Sequence, residues 1–129
     1  MKRLCAIVTL IAFIAMPASA NQFLDYFDHG RSELSPQGYS MVRRVVQYAE
    51  RGHPTRVLIV GHMDAAEAAE FSDELGRLRA QAVATELVRM GIDPAVITMD
   101  SKGASQPART NASSLSEPLN RRVTVGVNF

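Results

Sequence analysis

The distribution of apolar residues predicts a buried strand near the middle of the chain, with a polar side chain at its end. Residues 57–60 form an unbroken apolar run between Arg56 and Gly61, which is typical of a strand buried on both faces. Asp64 follows this run closely and is therefore expected just beyond the carboxyl end of the strand. In open α/β sheets, ligands usually bind at that edge.

The next segment predicts an amphipathic helix that carries an arginine beside its apolar stripe. Small and apolar residues recur with helical spacing at Gly76, Ala80, Val83, Ala84 and Leu87. We expect Ser72 to cap the start of this helix and Gly91 to end it, and the small residues at 76 and 80 to let it lie close to a sheet. Arg79 borders the stripe in the N-terminal half of the helix, where the helix dipole disfavours a cation. A locally unfavourable residue of this kind indicates a functional site.

The remaining patterns complete a β-α-β-α-β-β order. The predicted strands are residues 21–27, 57–60, 96–99 and 121–129, and the first helix begins at Ser35-Pro36, a cap followed by proline at the first helical position. The last strand is indicated by valines that alternate with polar residues. Residues 101–119 are rich in Ser, Ala, Asn and Pro and predict an irregular surface loop. The alternation of strands and helices favours an α/β class of fold.

The first twenty residues have the organisation of a Sec-type signal peptide. Two basic residues precede an apolar stretch of thirteen residues, and Ala18-Ser19-Ala20 matches a cleavage motif. As a helix this stretch is about 20 Å long against a bilayer core of about 30 Å, so no membrane span is expected after cleavage. We therefore predict a signal peptide at residues 1–20 and one exported domain at residues 21–129.

The composition argues against a nucleic-acid partner. Without Lys2 and Arg3 the chain has twelve basic and thirteen acidic residues, a net charge of −1. Binding to the phosphates of nucleic acid depends on a basic excess, which is lacking here. Since the single cysteine, Cys5, lies in the signal segment, we expect neither a disulfide nor thiol chemistry in the exported domain.

Several short blocks, in order, resemble those of the OmpA-like peptidoglycan-binding domain family. The blocks are Gly61-His62-Met63-Asp64, residues 75–83, Gly91-Ile92, residues 103–107 and Asn120-Arg121-Arg122-Val123. Tyr26-Phe27-Asp28 and residues 32–36 also resemble the first strand and helix start of the family. The resemblance implies an α/β (α+β) two-layer sandwich, in which the helices pack on one face of a mixed sheet.

The resemblance also implies a ligand, the stem peptide of peptidoglycan, which family members hold through its diaminopimelate residue. They use the aspartate of the Gly-His-x-Asp block and the arginine fifteen residues later, which correspond here to Asp64 and Arg79. Weaker candidates for ligand contact are Met63, Ser72, Asp28 and Arg121. The family usually has threonine at position 63, asparagine at position 72, a glycine within residues 65–71 and a glycine-arginine pair before Asn120. Without that glycine, the segment after Asp64 is free to begin a helix early.

The chemistry of a free amino-acid end agrees with this pair of residues, because its ammonium group needs a carboxylate and its carboxylate suits an arginine fork. The residues alone leave a second interpretation open, in which Asp64 and Arg79 form an internal salt bridge that closes the loop. Arg121 and Arg122 are also compatible with a solvent-facing position on an edge strand.

We favour a non-enzymatic periplasmic protein, wall-bound or associated with the outer membrane, that binds peptidoglycan without a cofactor. It acts alone or docks on a larger envelope complex. One alternative is an adaptor that keeps the fold but binds a protein partner through the 101–119 loop. The other is a zinc-dependent wall hydrolase, in which His62 and Asp64 share a metal with Glu67, Glu70 or Asp73.

Overall fold

The computed structural model describes residues 22–110 and 116–129, so the predicted signal peptide lies outside the described residues. In chain order the elements are β1 (Gln22–Tyr26), α1 (Pro36–Ala49), β2 (Arg56–His62), α2 (Ala65–Glu70), α3 (Glu74–Arg89), β3 (Ile97–Gly103) and β4 (Arg122–Asn128), with 3₁₀ turns at Pro94–Val96 and Pro118–Asn120. Among the residues described, no helix has the length and apolar character needed to cross a lipid bilayer.

The four strands form one mixed sheet in the order β1-β4-β2-β3. Strand β2 is parallel to β3 and antiparallel to β4, and β4 is also antiparallel to β1. Helices α1 and α3 pack against one face of this sheet. The predicted two-layer α+β architecture is therefore confirmed, with the short helix α2 as an addition between β2 and α3.

Helix α1 begins as its sequence predicts. The Ser35 hydroxyl oxygen accepts a hydrogen bond from the Gly38 backbone N–H at 3.2 Å, and Pro36 occupies the first helical position, where no N–H is needed. Its apolar face enters a core built from both helices and the sheet. The buried members of that core are Phe27, Met41, Val42, Val45, Val46, Val57, Ile59, Ala80, Val83, Ala84, Leu87, Val123, Val125 and Val127.

Strand β2 is buried on one face, so the prediction that both faces are buried is wrong. Val57 and Ile59 are fully buried under the helices, whereas Leu58 and Val60 on the opposite face are half-buried. The physical reason is that α1 and α3 both cover the same side of the sheet. The other side carries partly exposed apolar residues, among them Leu24 and Tyr26.

Helix α3 lies very close to β2 because a glycine from each element stands at the contact. A Cβ atom added at Gly61 would lie 1.7 Å from the Gly76 carbonyl oxygen, so this separation admits no side chain at position 61. The predicted close approach of the helix to the sheet is confirmed.

The start of helix α3 differs from the prediction: Asp73, not Ser72, is the residue before it, and Asp73 makes no side-chain capping bond.

Strand β3 is longer than predicted, and the following loop is correspondingly shorter. The strand runs to Gly103. Its polar residues Asp100 and Ser101 pair with β2, and Lys102 lies at a register shift before the pair of Gly103 with His62. Of the predicted loop, residues 111–115 lie outside the described residues. A polar edge strand has no alternating apolar pattern, which explains why the sequence indicated only its first residues.

Candidate functional site

One edge of the sheet brings together four of the six predicted site residues, which come from four segments of the chain. Asp64 follows the carboxyl end of β2, Asp28 follows the end of β1 and Arg121 directly precedes β4. Because β4 is antiparallel to both β1 and β2, its start lies beside the ends of those two strands. Arg79 reaches the same edge from α3, as its contacts with the backbone of residues 28, 31 and 62 demonstrate.

Asp64 is fully buried and both of its carboxylate oxygens accept hydrogen bonds. Its Oδ1 accepts from the Glu67 backbone N–H at 2.7 Å. Its Oδ2 accepts from the Glu117 backbone N–H and from Arg121 Nη1, each at 3.1 Å. Through the bond from the Glu67 backbone N–H, the Asp64 side chain caps helix α2. The Glu67 side chain in turn accepts from the Asp64 backbone N–H at 3.2 Å, which completes a capping box.

Arg79 is also fully buried, and its five N–H groups have five acceptors. Its Nη1 and Nη2 donate to Oε1 and Oε2 of Glu67 at 2.8 and 2.5 Å, an arginine fork on a carboxylate. The other three bonds go to the backbone carbonyls of Arg31, His62 and Asp28 at 2.8, 2.9 and 3.3 Å. The guanidinium carbon also lies 5.0 Å from the centre of the Phe27 ring, a cation–π distance.

Asp64 and Arg79 thus lie at the same edge, but each forms its ion pair with another residue. Arg121 pairs with Asp64 and Glu67 pairs with Arg79. Glu67 connects the two, because it bonds to Asp64 through the capping box and to Arg79 through the fork. The sequence interpretation gave Glu67 only a possible metal-binding role, although its position three residues after Asp64 is the spacing of a capping box and indicates this contact.

The weaker candidates occupy four different environments. Arg121 is mostly buried, with its Nε donating to the Phe27 carbonyl oxygen at 2.9 Å. Since β4 lies inside the sheet, the alternative that placed Arg121 on a solvent-facing edge strand is wrong. Asp28 has an exposed side chain, Met63 is buried at 1% exposure, and Ser72 is exposed beyond α2.

A groove of about 700 Å³ is lined by Asp28 and Arg121, whereas neither Asp64 nor Arg79 lines it. Its lining includes three acidic residues, Asp25, Asp28 and Glu33. It also includes two basic residues, Arg31 and Arg121. Burial raises the pKa of the Asp25 carboxyl above its usual value, and within the described ranges its Oδ2 has no hydrogen-bond partner. The groove therefore presents both signs of charge to a ligand.

His62, the last residue of β2, is buried at 3% exposure. Burial first, and then the nearby charges of Arg122 and Lys102, lower the pKa of its imidazole from 6.5 to about 4. Its Nδ1 lacks a hydrogen-bond partner in the part of the chain that the structure describes. The folded domain therefore holds this ring in its neutral form.

We expect His62 to make the domain less stable in acid. Its folded pKa lies below its unfolded pKa, so the unfolded state binds the extra proton and stability falls as the pH drops from about 6.5 to about 4. The expected loss is about 2–3 kcal/mol. Urea unfolding of wild type and His62→Gln at pH 7 and pH 4.5 measures it: the variant should lose clearly less stability over this interval, and equal losses would contradict the assignment.

The zinc-hydrolase alternative gains no support from this arrangement. In residues 22–110 and 116–129, no group of three or more His, Cys, Asp or Glu side chains is placed to hold a metal ion. The carboxylates that it would need have other partners: Asp64 and Glu67 pair with arginines, and Glu70 pairs with His29 at 2.9 Å.

Comparison with known proteins identifies the family. The model of the OmpA family matches residues 26–121, which include all six residues that the sequence predicted for the site. The chain belongs to the OmpA family. This result confirms the family resemblance noted in the sequence.

The OmpA-family relatives are envelope proteins by name. The chain is 34% identical over 100 residues to a peptidoglycan-associated lipoprotein of Pseudomonas aeruginosa, covering 76% of this chain and 58% of the relative. It is 31% identical over 101 residues to outer membrane porin F of Pseudomonas fluorescens, covering 78% of this chain and 31% of the relative. The chain thus spans about a third to three fifths of the length of these curated relatives. Their names confirm the predicted location in the cell envelope, in the periplasm or associated with the outer membrane.

A solved structure of the OmpA-like type gives the same fold. The peptidoglycan-associated lipoprotein from Burkholderia pseudomallei superposes with a TM-score of 0.73 at 25% identity, covering 82% of this chain and 90% of that one. The mixed sheet and its helical layer are therefore those of an OmpA-family domain.

Proposed function

We propose that this OmpA-family domain binds peptidoglycan non-covalently through the diaminopimelate of its stem peptide, and that binding depends on Asp64 and Arg79. The observation that carries the proposal is the groove lined by Asp28 and by Arg121, the partner of Asp64, in which carboxylates and guanidinium groups line the same space. The lipoprotein relative, which is named for its association with peptidoglycan, supports the same conclusion.

The charges of the groove match those of the proposed ligand. The free end of diaminopimelate carries an ammonium and a carboxylate on one carbon, so its recognition needs an acceptor and a cation close together. Asp28 and Glu33 supply acceptors, while Arg31 and Arg121 supply cations. Such binding is an equilibrium of ion pairs and hydrogen bonds and requires neither a nucleophile nor a cofactor. We therefore infer a non-enzymatic role in the periplasm, alone or within a larger envelope complex.

Sedimentation with purified peptidoglycan sacculi tests this function. We expect the wild-type domain to pellet with sacculi and free meso-diaminopimelate to release it. Arg79→Lys keeps the charge but removes the fork, and Asp28→Asn neutralises an exposed carboxylate of the groove. Each should weaken binding by about tenfold or more, the effect of losing one charge-assisted hydrogen bond.

A matched substitution separates this effect from a general effect of replacing an arginine with lysine on helix α3. Arg89→Lys changes an exposed arginine at the end of the same helix and should pellet like the wild type. Circular dichroism of each variant checks that the fold is retained. Wild-type protein that stays in the supernatant, or variants that all pellet equally, would rule out stem-peptide binding at this site.

One observation favours a second function, an adaptor for a protein partner. Asp64 and Arg79 are both 0% exposed and saturated by internal bonds, so in this conformation neither presents any surface to a ligand. An adaptor would not need either residue to be accessible. If the domain is an adaptor, neither the wild type nor the variants should pellet with the sacculi.

A further inference from the structure

The carboxylate of Glu67 is enclosed by hydrogen-bond donors from three separate parts of the chain. Arg79 donates to both oxygens from α3, and the Asp64 backbone N–H donates to Oε1 at 3.2 Å. The Gly30 backbone N–H, from the turn after β1, donates to Oε2 at 2.8 Å. We call these four donors the carboxylate cradle: Arg79 Nη1, Arg79 Nη2, Asp64 N and Gly30 N.

The carboxylate cradle has the composition of a receptor for a carboxylate ligand. A planar guanidinium fork fixes both oxygens, and two backbone N–H groups donate from other directions, so each oxygen receives two bonds. Glu67 and Arg79 both have 0% side-chain exposure. An arginine buried to this degree needs a counter-charge, because an unpaired charge away from water is strongly unfavourable.

Helix α2, which brings Glu67 into the cradle, is otherwise loosely attached. It is six residues long, and Glu67 is its one buried residue. Its other described ties to the turn after β1 are the exposed pair of Glu70 with His29 and the contact of the His29 ring with Phe71, the residue that ends the helix. Helices of this length have little stability of their own, and α2 contributes no residue to the apolar core. The helix can therefore withdraw Glu67 without unfolding the domain.

We propose that Glu67 is a built-in occupant of a carboxylate-binding site, and that a ligand carboxylate binds by taking its place in the carboxylate cradle. Glu67 then sets the affinity, because a ligand binds only to the fraction of molecules in which α2 has released it. The assignment of the ligand carboxylate to a stem peptide rests on the proposed function. The cradle itself does not depend on that function.

Chemical rescue by acetate tests the cradle directly. Glu67→Ala leaves the Arg79 fork without its carboxylate, so added acetate should restore the missing charge. At an acetate concentration ten times its dissociation constant, the melting temperature of Glu67→Ala should rise by about 5 °C relative to sodium chloride of equal ionic strength. If Glu67→Ala is unfolded in chloride, acetate should restore its circular dichroism spectrum.

Matched variants assign that response to the cradle. Glu70→Ala removes an exposed carboxylate from the same helix and should respond to acetate no more than the wild type does. The double variant Glu67→Ala/Arg79→Met, which lacks the fork, should not respond either. An equal response to acetate and chloride in Glu67→Ala, whether folded or unfolded, overturns the proposal.

Sacculus binding by Glu67→Ala separates this inference from the proposed function. If about 1–10% of wild-type molecules have an open cradle, the variant should bind sacculi about ten- to a hundred-fold more tightly. Acetate rescue in a variant that binds no sacculi keeps the cradle and rejects the stem-peptide function. Acetate rescue with sacculus affinity equal to the wild type rejects displacement of Glu67 as the route of binding.

Discussion

Replacing Arg79 with methionine should lower the free energy of unfolding by about 3–5 kcal/mol, the loss typical of breaking a buried ion pair by removing one partner. Methionine is similar in length but offers no donor, so the Glu67 carboxylate stays buried without its fork. The carbonyls of Arg31 and His62 lose hydrogen bonds at the same time. Urea unfolding at neutral pH measures the effect as a fall in the midpoint.

Two further variants establish that the loss comes from an unpaired charge. Arg77→Met removes a half-exposed arginine of the same helix, which pairs with Glu74, and should leave the midpoint almost unchanged. Adding Glu67→Gln to Arg79→Met removes the stranded charge and should recover part of the stability. A double variant less stable than Arg79→Met alone would show that lost packing, and not charge, dominates.

Replacing Gly61 with alanine should destabilise the domain by about 3 kcal/mol or more, since the new methyl group has no space. The added Cβ would meet the Gly76 carbonyl oxygen at 1.7 Å, and that atom belongs to the backbone of α3. A flexible side chain could turn aside, but here the whole helix must move away from β2. We expect a large fall in melting temperature or a failure to fold.

Gly126→Ala is the matched control for this substitution. Gly126 lies in β4, the strand that pairs with β2, and a Cβ atom added there meets nothing within 4 Å. Its melting temperature should remain within a few degrees of the wild type. Similar losses for the two variants would mean that the contact between α3 and β2 is not as close as the structure places it.

The sequence predicted those elements whose apolar residues recur with a regular period. Alternating valines located β4, and the spacing of small and apolar residues located α3, because burial of one face imposes those periods. Helix α2 was foreseen only as an early helix start, since most of its residues are exposed and leave no apolar period. The polar second half of strand β3 was not predicted for the same reason, because it also has no apolar period.

The site was predictable in part for a different reason. The family blocks led to Asp64 and Arg79, and the structure places both at the same edge. Which carboxylate pairs with which guanidinium depends on the relative positions of segments that lie far apart in the chain. Arg121 reaches Asp64 across 57 positions, and no local pattern encodes that contact. The capping-box spacing of Asp64 and Glu67 is a local signal, but for a different contact, the one between those two residues.

The central place of β4 in the sheet has a consequence for how the chain folds. This strand comes last in the sequence, yet it lies between β1 and β2 and supplies pairing to both. Until the residues of β4 have left the ribosome, β1 has no strand to pair with, and the core lacks the valines that β4 supplies. The sheet therefore forms only after β4 has been synthesised, and it forms through contacts between distant parts of the chain, which slow folding.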